Sequence, residues 1–405
     1  MLIHSARPCA ARSRAFVLIA VFATSGAAAT TGLAAQTDTT HRAPIVRADT
    51  VRHDTTWKRD SLSRAVTRLE PVTVTATPVR TGEPQSSVTI SPSVIELTPS
   101  ITPWDMLRQA AGVEVHLQGQ GPGFASDASI RGFSSDHSTD LALWIDGVPI
   151  NEPVNGHAEG YNDWSLIFPA AVENIDVIKG PTSALFGNFA LSGIVNVHTS
   201  ERMQGTQASV NAGTAGHVDA TVLTGFDHGA SGGGVFGARW QHDDGWRPNS
   251  QSDVEQGHFR VVHDLSPAWR IDGGVELYGA QWSSPGFLSE DEFANREYDI
   301  VSNRTDGGDK YRAQERVSLR LLSGSVLWRS TLYSTQGNWD FFLTIPPAGG
   351  RFEGTGSQTQ EVDHRTGLGA TSALTWSLPD GGEITVGTEG RWDRTHYQNW
   401  FTTDR

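Results

Sequence analysis

The sequence predicts a small α+β domain followed by antiparallel β-hairpins of the membrane-barrel kind, and three observations carry this. Ile175 to Ile178 reads as a short strand, Gly180-Pro181 breaks it, one helical turn ends at Gly187, and Gly193 to Thr199 is extended again. From about residue 205 onward, polar and apolar residues alternate in segments separated by turn residues, the dyad repeat of a barrel. Beyond residue 35 no long apolar segment remains and mean hydropathy is negative. That excludes a helical membrane protein but not a barrel, whose strands average out as hydrophilic. With 43 Gly and 13 Trp but only 3 Met, the composition suits a sheet-rich chain with aromatic belts.

Taken in order, residues 1–35 read as a secretory signal peptide. Arg7, Arg12 and Arg14 give a positive start, and Ala15 to Ala23 is an apolar run too short to span a bilayer. Small residues then offer cleavage sites between Ala29 and Ala35. The single cysteine, Cys9, lies inside this segment, so the mature chain has no disulfide, thiolate metal site or Cys nucleophile. The formal charge is −14. Removing the three arginines leaves roughly −17, which argues against nucleic acid as a partner. Residues 36–69 are rich in Thr, Asp, Arg and His and too poor in apolar residues to fold alone, so they read as a flexible leader. In 70–79, Val72, Thr73, Val74 and Thr75 are all β-branched and lie between Pro71 and Pro78, which favours an isolated extended segment ending near Ala76.

A domain over 80–201 follows. Its one clear helix has Thr102 as N-cap, Pro103 first, Asp105 in the first turn and Gly112 after the end, with Trp104, Leu107 and Ala111 on one face. Ile101 and Met106 stand at the positions of a hydrophobic staple. Strands are expected at Ser129 to Gly132 and at Leu141 to Ile145, the second ending in an Asp146-Gly147 turn.

Four motifs in this domain appear in the order of a known family: Asp105-Met106-Leu107 with Gly112-Val113-Glu114-Val115, then Ile130-Arg131-Gly132, then Ile145-Asp146-Gly147-Val148, then Glu173 to Gly187 with its Lys179-Gly180-Pro181 and Ser183-Ala184-Leu185-Phe186-Gly187. Over about 130 residues the chain resembles the plug domain of TonB-dependent outer-membrane transporters. One departure is Ala111, where the family usually has Pro. The resemblance implies an α+β plug domain followed by a transmembrane antiparallel β-barrel, incomplete in this chain. It makes Val72, Thr73, Val74, Thr75 and Ala76 the TonB box, which the energy-coupling TonB complex would seize by strand addition. It puts Arg131, Gly132, Asp146, Gly147, Glu173, Lys179, Gly180 and Gly187 at characteristic plug positions. Charged contacts to the wall suit a plug that must move, since water can replace them during opening.

Residues 205–405 read as the first part of the barrel. In Glu383 to Trp392, Ile384, Val386 and Trp392 share one face, while Glu383, Thr385, Glu389 and Arg391 share the other. Short turns at His228 to Gly232, Leu265 to Pro267, Leu322 to Gly324 and Leu378 to Gly382 alternate with longer connections near 243–253, 283–309 and 340–358. A chain leaving the plug on the periplasmic side would then put every short turn inside and every long loop outside, as barrels require. About nine strands fit before Arg405, an open sheet; plugged outer-membrane transporters use 22. The expectation is therefore a partial barrel from a truncated product or a partial reading frame.

No catalytic constellation appears. Gly119-Gln120-Gly121-Pro122-Gly123 lacks the strand-before, helix-after setting and the Lys-Ser/Thr of a phosphate loop, and reads as a flexible apical loop. His157-Ala158-Glu159 has no second ligand pair at zinc spacing, and Asp306 to Asp309 lacks the ligand count of a calcium loop. The reading is thus no enzyme, no metal and no cofactor. Two plug loops, Glu114 to Ser126 and Asn151 to Trp164, face outward in the family. In the second, Asn155, His157 and Glu159 are expected to orient a ligand by hydrogen bonds and Tyr161 and Trp164 to offer flat apolar contact.

The resemblance implies active import of a scarce nutrient of siderophore, cobalamin, glycan or peptide type across the outer membrane, with outer-membrane lipid and the TonB complex as partners. The alternative is an outer-membrane binding or adhesion receptor that retains a plug-like domain without transporting. Mass spectrometry of the mature protein is expected to find an N-terminus between residues 29 and 36; an intact Met1 end on a cytoplasmic product would refute the targeting.

Overall fold

The computed structural model describes residues 86–98, 102–117, 119–346, 356–379 and 381–402. The signal, leader and TonB-box readings lie outside these residues. Two architectures follow one another along the chain.

The first is an α+β module. Its main sheet has five strands in the order β1 (Ser86–Ile90), β6 (Val172–Lys179), β7 (Gly193–Thr199), β4 (Leu141–Ile145) and β5 (Val148–Pro149). All neighbours are antiparallel except β4 and β7, which run parallel. A separate pair, β2 (Val113–His116) and β3 (Asp127–Ile130), stands apart, and α1 (Pro92–Leu97) follows β1. β4 is buried along its whole length, as the unbroken Leu-Ala-Leu-Trp-Ile run requires. Val177, Val195 and Leu143 fill the sheet centre, while Trp104, Met106 and Leu107 cover one face.

The expected α-helix at 102–111 is instead a 3-10 helix, Pro103–Gln109. Asp105 N–H donates to Thr102 O and Ala110 N–H to Leu107 O, both three residues back. Three residues per turn line up Trp104, Leu107 and Ala110, and all three are buried, whereas Ala111 is exposed. Ala110 thus replaces Ala111 as the third contact. The start is as expected: Thr102 N–H donates to Asp105 Oδ2 at 2.9 Å, closing a capping box. The turn before β7 is also 3-10, Ala184–Phe186; it begins at the Ser183 cap rather than at Pro181 and stops at Gly187.

The second architecture is one antiparallel sheet of nine strands in sequence order: β8 (Thr206–Ala212), β9 (Val218–Asp227), β10 (Gly232–Asp243), β11 (Ser252–Asp264), β12 (Trp269–Ser283), β13 (Gly307–Ser323), β14 (Val326–Ile345), β15 (Ser357–Ser377) and β16 (Glu383–Thr402). Among the described residues β8 and β16 are its edges, and the sheet does not close on itself. From β10 onward the strands run 12 to 21 residues, more than the roughly 9–11 that cross a hydrocarbon core. Residues 228–231, 265–268, 324–325 and 378–382 turn at one end, and 213–217, 244–251, 284–306 and 346–356 connect at the other.

The two faces of this sheet differ in chemistry. On β13, Lys310, Arg312, Gln314 and Arg316 point at the module and are buried by it. On the far face Phe259, Leu277, Leu332, Val386 and Trp392 are exposed, a surface suited to lipid. Close backbone approach inside the module depends on Gly193, where a Cβ would fall 2.6 Å from both Ile178 O and Ile130 Cδ1. Gly193→Ala is therefore expected to cost about 1–3 kcal/mol by overpacking. Gly279→Ala, where an added Cβ meets no atom within 4 Å, should stay within about 0.5 kcal/mol. Thermal or denaturant unfolding of both variants checks this.

Candidate functional site

The joint between module and sheet is built from three module carboxylates and a row of sheet cations. Asp146 and Gly147 both take positive φ, 48° and 85°, in the two-residue turn between β4 and β5 that an Asp-Gly pair favours. That turn aims the carboxylate at the sheet. Asp146 accepts from Thr199 N–H at 3.0 Å and Thr199 Oγ1 at 2.6 Å, and pairs with Arg260 and Arg316 at 3.2 Å each. Arg260 also donates to the Thr199 carbonyl and bridges to Asp272 at 2.7 Å; Arg316 reaches Asp272 at 3.0 Å. Burial alone would raise the Asp146 pKa, but the two guanidinium groups and the Thr199 bonds hold it well below the usual carboxylate range.

Further along, Asp163 caps the short turn Trp164–Leu166 by accepting from Ser165 N–H at 2.8 Å. The same carboxylate pairs with Lys310 at 2.5 Å and Arg312 at 3.0 Å. Glu152 lies between Arg365 at 3.0 Å and Arg312 at 3.5 Å, and accepts from Asn155 Nδ2 at 2.7 Å. Both carboxylates sit below their ordinary pKa because these cations outweigh the cost of burial. Lys310, Arg312 and Arg316 occupy alternate positions of β13, so one strand carries a cation for each acid.

Hydrogen bonds to backbone carbonyls fill the remainder. Gln256 Nε2 donates to the carbonyls of Ser165 and Ile167, both at 2.9 Å. Arg391 donates to Asn151 O at 2.9 Å, and Tyr278 Oη to Pro122 O at 2.8 Å. Trp282 packs on Gly121 and Gly123 so closely that a Cβ at either would lie 2.1–2.4 Å from its ring atoms. The glycine-rich segment expected to be a flexible loop is therefore clasped: its glycines make room for an indole.

The singled-out residues separate into groups. Of the four charges expected to meet the wall, Asp146 does so. Lys179 is buried within the module and donates to Ala111 O; Arg131 and Glu173 are exposed, and Arg131, at φ 55°, is held through its backbone N–H to Gly112 O. Gly132, Gly180 and Gly187 adopt positive φ (77°, 100° and 62°), conformations that a Cβ disfavours. In the second loop Glu159 is exposed and Asn155 is half-buried on Glu152. His157 pairs with Glu361 of β15 at 2.7 Å and stacks on Trp339. Tyr161 and Trp164 require correction. They are 0% and 1% exposed, Tyr161 Oη accepting from Ala125 N–H at 2.7 Å and Trp164 stacking on Trp104 at 4.5 Å between centroids. An irregular loop gives no periodicity to show which rings turn inward, and these two complete the module core.

Exposed aromatics stand elsewhere, at the long-connection end. Trp246 (70% exposed) and Phe293 (62%) both pack edge-on against Tyr298. Arg247 fixes this connection by donating to the carbonyls of Gly286, Tyr298 and Ile300. The signal was present in the sequence as Trp246 in a polar loop, but its partners lie some 50 residues away. Among the described residues no group of three or more His, Cys, Asp and Glu is placed to hold a metal ion.

Comparison with known proteins agrees with this geometry. A family model described as TonB-dependent Receptor Plug Domain matches residues 80–194. The chain is 31% identical over 270 residues to a vitamin B12 transporter, BtuB, of Vibrio vulnificus strain YJ016, covering 61% of this chain and 42% of the relative. The corresponding protein of strain CMCP6 is 30% identical over 260 residues, covering 62% and 38%. The chain thus spans about two fifths of the length of these curated relatives. Among solved structures, the unliganded ferric citrate transporter FecA superposes with a TM-score of 0.64 at 15% identity, covering 78% of this chain and 48% of that one. The siderophore receptor PiuA of Acinetobacter baumannii gives 0.61 at 17% identity, covering 78% and 46%. At these identities the structural likeness speaks for the fold alone.

The depressed carboxylates set a pH signature. A group whose folded pKa lies below its unfolded value of about 3.9 contributes stability above that value, and this is lost as pH falls through the folded pKa. Asp146 and Asp163 should therefore hold the module in place throughout the neutral range and release it only in strong acid. Asp146→Asn is expected to cost about 3–5 kcal/mol at neutral pH, because two buried guanidinium groups lose the carboxylate they share and are left with Asp272 in common. It should also flatten the acid limb of the unfolding curve. An unchanged acid limb in acid-titrated unfolding would refute the assignment.

Proposed function

We propose that this chain, a TonB-dependent receptor by its plug domain and its incomplete barrel sheet, imports a scarce extracellular nutrient across the outer membrane. The observation that carries the reading is the joint itself: a plug held to its wall by buried, charge-assisted hydrogen bonds. An apolar seal would have to expose greasy surface in order to open, whereas Asp146, Glu152, Asp163 and their cations can each be rehydrated as the plug shifts. The ligand belongs to the siderophore, cobalamin, glycan or peptide type, and the two vitamin B12 transporter relatives keep cobalamin prominent among these.

The ligand meets the plug apex around Val154, Asn155, His157 and Glu159 together with the connections 284–306 and 346–356. These are the polar plug loop and the long connections at one end of the sheet. Tyr161 and Trp164 support that apex from within the plug. Uptake is driven through Val72, Thr73, Val74, Thr75 and Ala76, which the TonB complex captures by strand addition, a mode that depends on main-chain hydrogen bonds.

The test follows from that backbone dependence. Val74→Pro removes an N–H from the captured strand and is expected to abolish uptake while leaving ligand binding at the cell surface unchanged. Val74→Thr should be mild. Tolerance of Pro at this position would favour the alternative, an outer-membrane binding or adhesion receptor that holds a plug without moving it. Radiolabelled uptake and surface binding, measured side by side in whole cells, distinguish the two.

A further inference from the structure

We propose that Lys310 fastens the two apical plug loops, 119–126 and 151–164, into a single unit that yields as one. The proposal deepens the import reading by naming how contact at one loop reaches the other, but the coupling is a property of the resting protein and is tested there.

Lys310 belongs to the wall, on β13, yet its ammonium makes most of its contacts with the plug. It pairs with Asp163 Oδ2 of the second loop at 2.5 Å and donates to Gly123 O of the first at 2.9 Å. The same nitrogen lies 4.6 Å from the ring centroid of Trp339 on the wall and 5.5 Å from that of Tyr161 in the second loop. An ammonium has three N–H bonds, and a carboxylate, a carbonyl and an indole face can take all three. With its side chain 4% exposed, the cation is satisfied without water.

Each loop has further ties of its own. The first is held by Tyr278 Oη on Pro122 O and by Trp282 against Gly121 and Gly123; the second by Arg312 and Arg365 through Asp163 and Glu152. Besides the edge-on packing of Phe124 on His157 at 5.0 Å between centroids, two polar contacts join the loops to each other: the cation of Lys310, and the Ala125 N–H to Tyr161 Oη bond. Of these the charged one is the stronger, because losing it leaves Gly123 O buried without its donor and Asp163 with Arg312 alone. A ligand that lifts either loop then weakens the hold on the other, which is a coupling free energy between two sites.

Lys310 is thus a positioning residue, and amide hydrogen exchange read by mass spectrometry on the membrane-extracted protein without ligand tests it. Lys310→Met keeps the length and apolar stem and removes the charge. Peptides covering 119–126 and 156–164 are expected to exchange together, about tenfold faster or more, while 172–199 keeps its protection. Lys310→Arg should restore much of the loss, and Tyr278→Phe should speed 119–126 alone. Acceleration of one loop only in Lys310→Met, or of 172–199 along with both, would overturn the proposal. Tyr161→Phe gives an independent check should the Met variant fail to insert. It removes the other inter-loop bond and leaves Lys310, so both loops should stay protected, and joint acceleration there would assign the coupling to the hydroxyl instead.

Discussion

Everything in this structure is arranged around the burial of charge between plug and wall. Three carboxylates and several cations leave bulk water along one joint, and the desolvation of each is repaid only because partners meet it in good geometry. Asp146 shows the arrangement most fully. Two left-handed residues form the turn that presents it, Thr199 supplies two hydrogen bonds from the neighbouring strand, and Arg260 and Arg316 arrive from two strands of the wall. Asp272 then neutralises the surplus positive charge behind them. Removing any one member takes a charged partner from at least one other that stays buried, so the group acts as a unit.

That choice of chemistry has a consequence for motion. Apolar contact also contributes: Trp339 and Phe341 of β14 join the same buried cluster as plug residues Phe124 and Tyr161. The aromatic contacts lie toward the apex, near Gly121 and Gly123, while the Asp146 group lies at the β4–β5 turn. The joint therefore has an apical region where rings and the ion pairs of Glu152 and Asp163 hold the loops, and a second region at the β4–β5 turn where Asp146 meets Arg260 and Arg316.

How much of this could be read in the sequence depends on how local the signal was. Asp146-Gly147, Gly187 and the capping box at Thr102 were legible because turn and cap geometry is set by neighbours along the chain. The alternation that produced nine strands was legible for the same reason. The helix type was not: Trp104 and Leu107 fit both a 3.6 and a 3.0 period, and only the burial of Ala110 in place of Ala111 separates them. Lys310, Arg312 and Arg316 looked like ordinary charges on a polar strand face, because the acids that define their role lie some 150 residues earlier. Tyr161 and Trp164 were misread as ligand platforms for the converse reason; a donor-rich loop looks exposed until a core such as Trp104 is found beneath it.

The strand order of the plug joins these points to the import reading. The segment proposed to receive the pull precedes β1, and β1 is an edge strand paired to β6 over five residues. The opposite edge is β4–β5, whose turn carries Asp146 and leads into the loop of Glu152 and Asp163. Force entering at one edge must cross β6 and β7 to reach the anchors at the other. Each ladder hydrogen bond is worth about 1 kcal/mol net, and each buried ion pair about 3–5 kcal/mol to break. The β1–β6 joint is therefore comparable to one or two anchors and weaker than all three together. On these magnitudes a pull peels β1 from the sheet before the whole plug leaves the wall, unless the anchors have first been weakened from the apex. On the import reading proposed above, ligand at the apical loops and force at β1 would act on the same joint from opposite ends, and opening would need both.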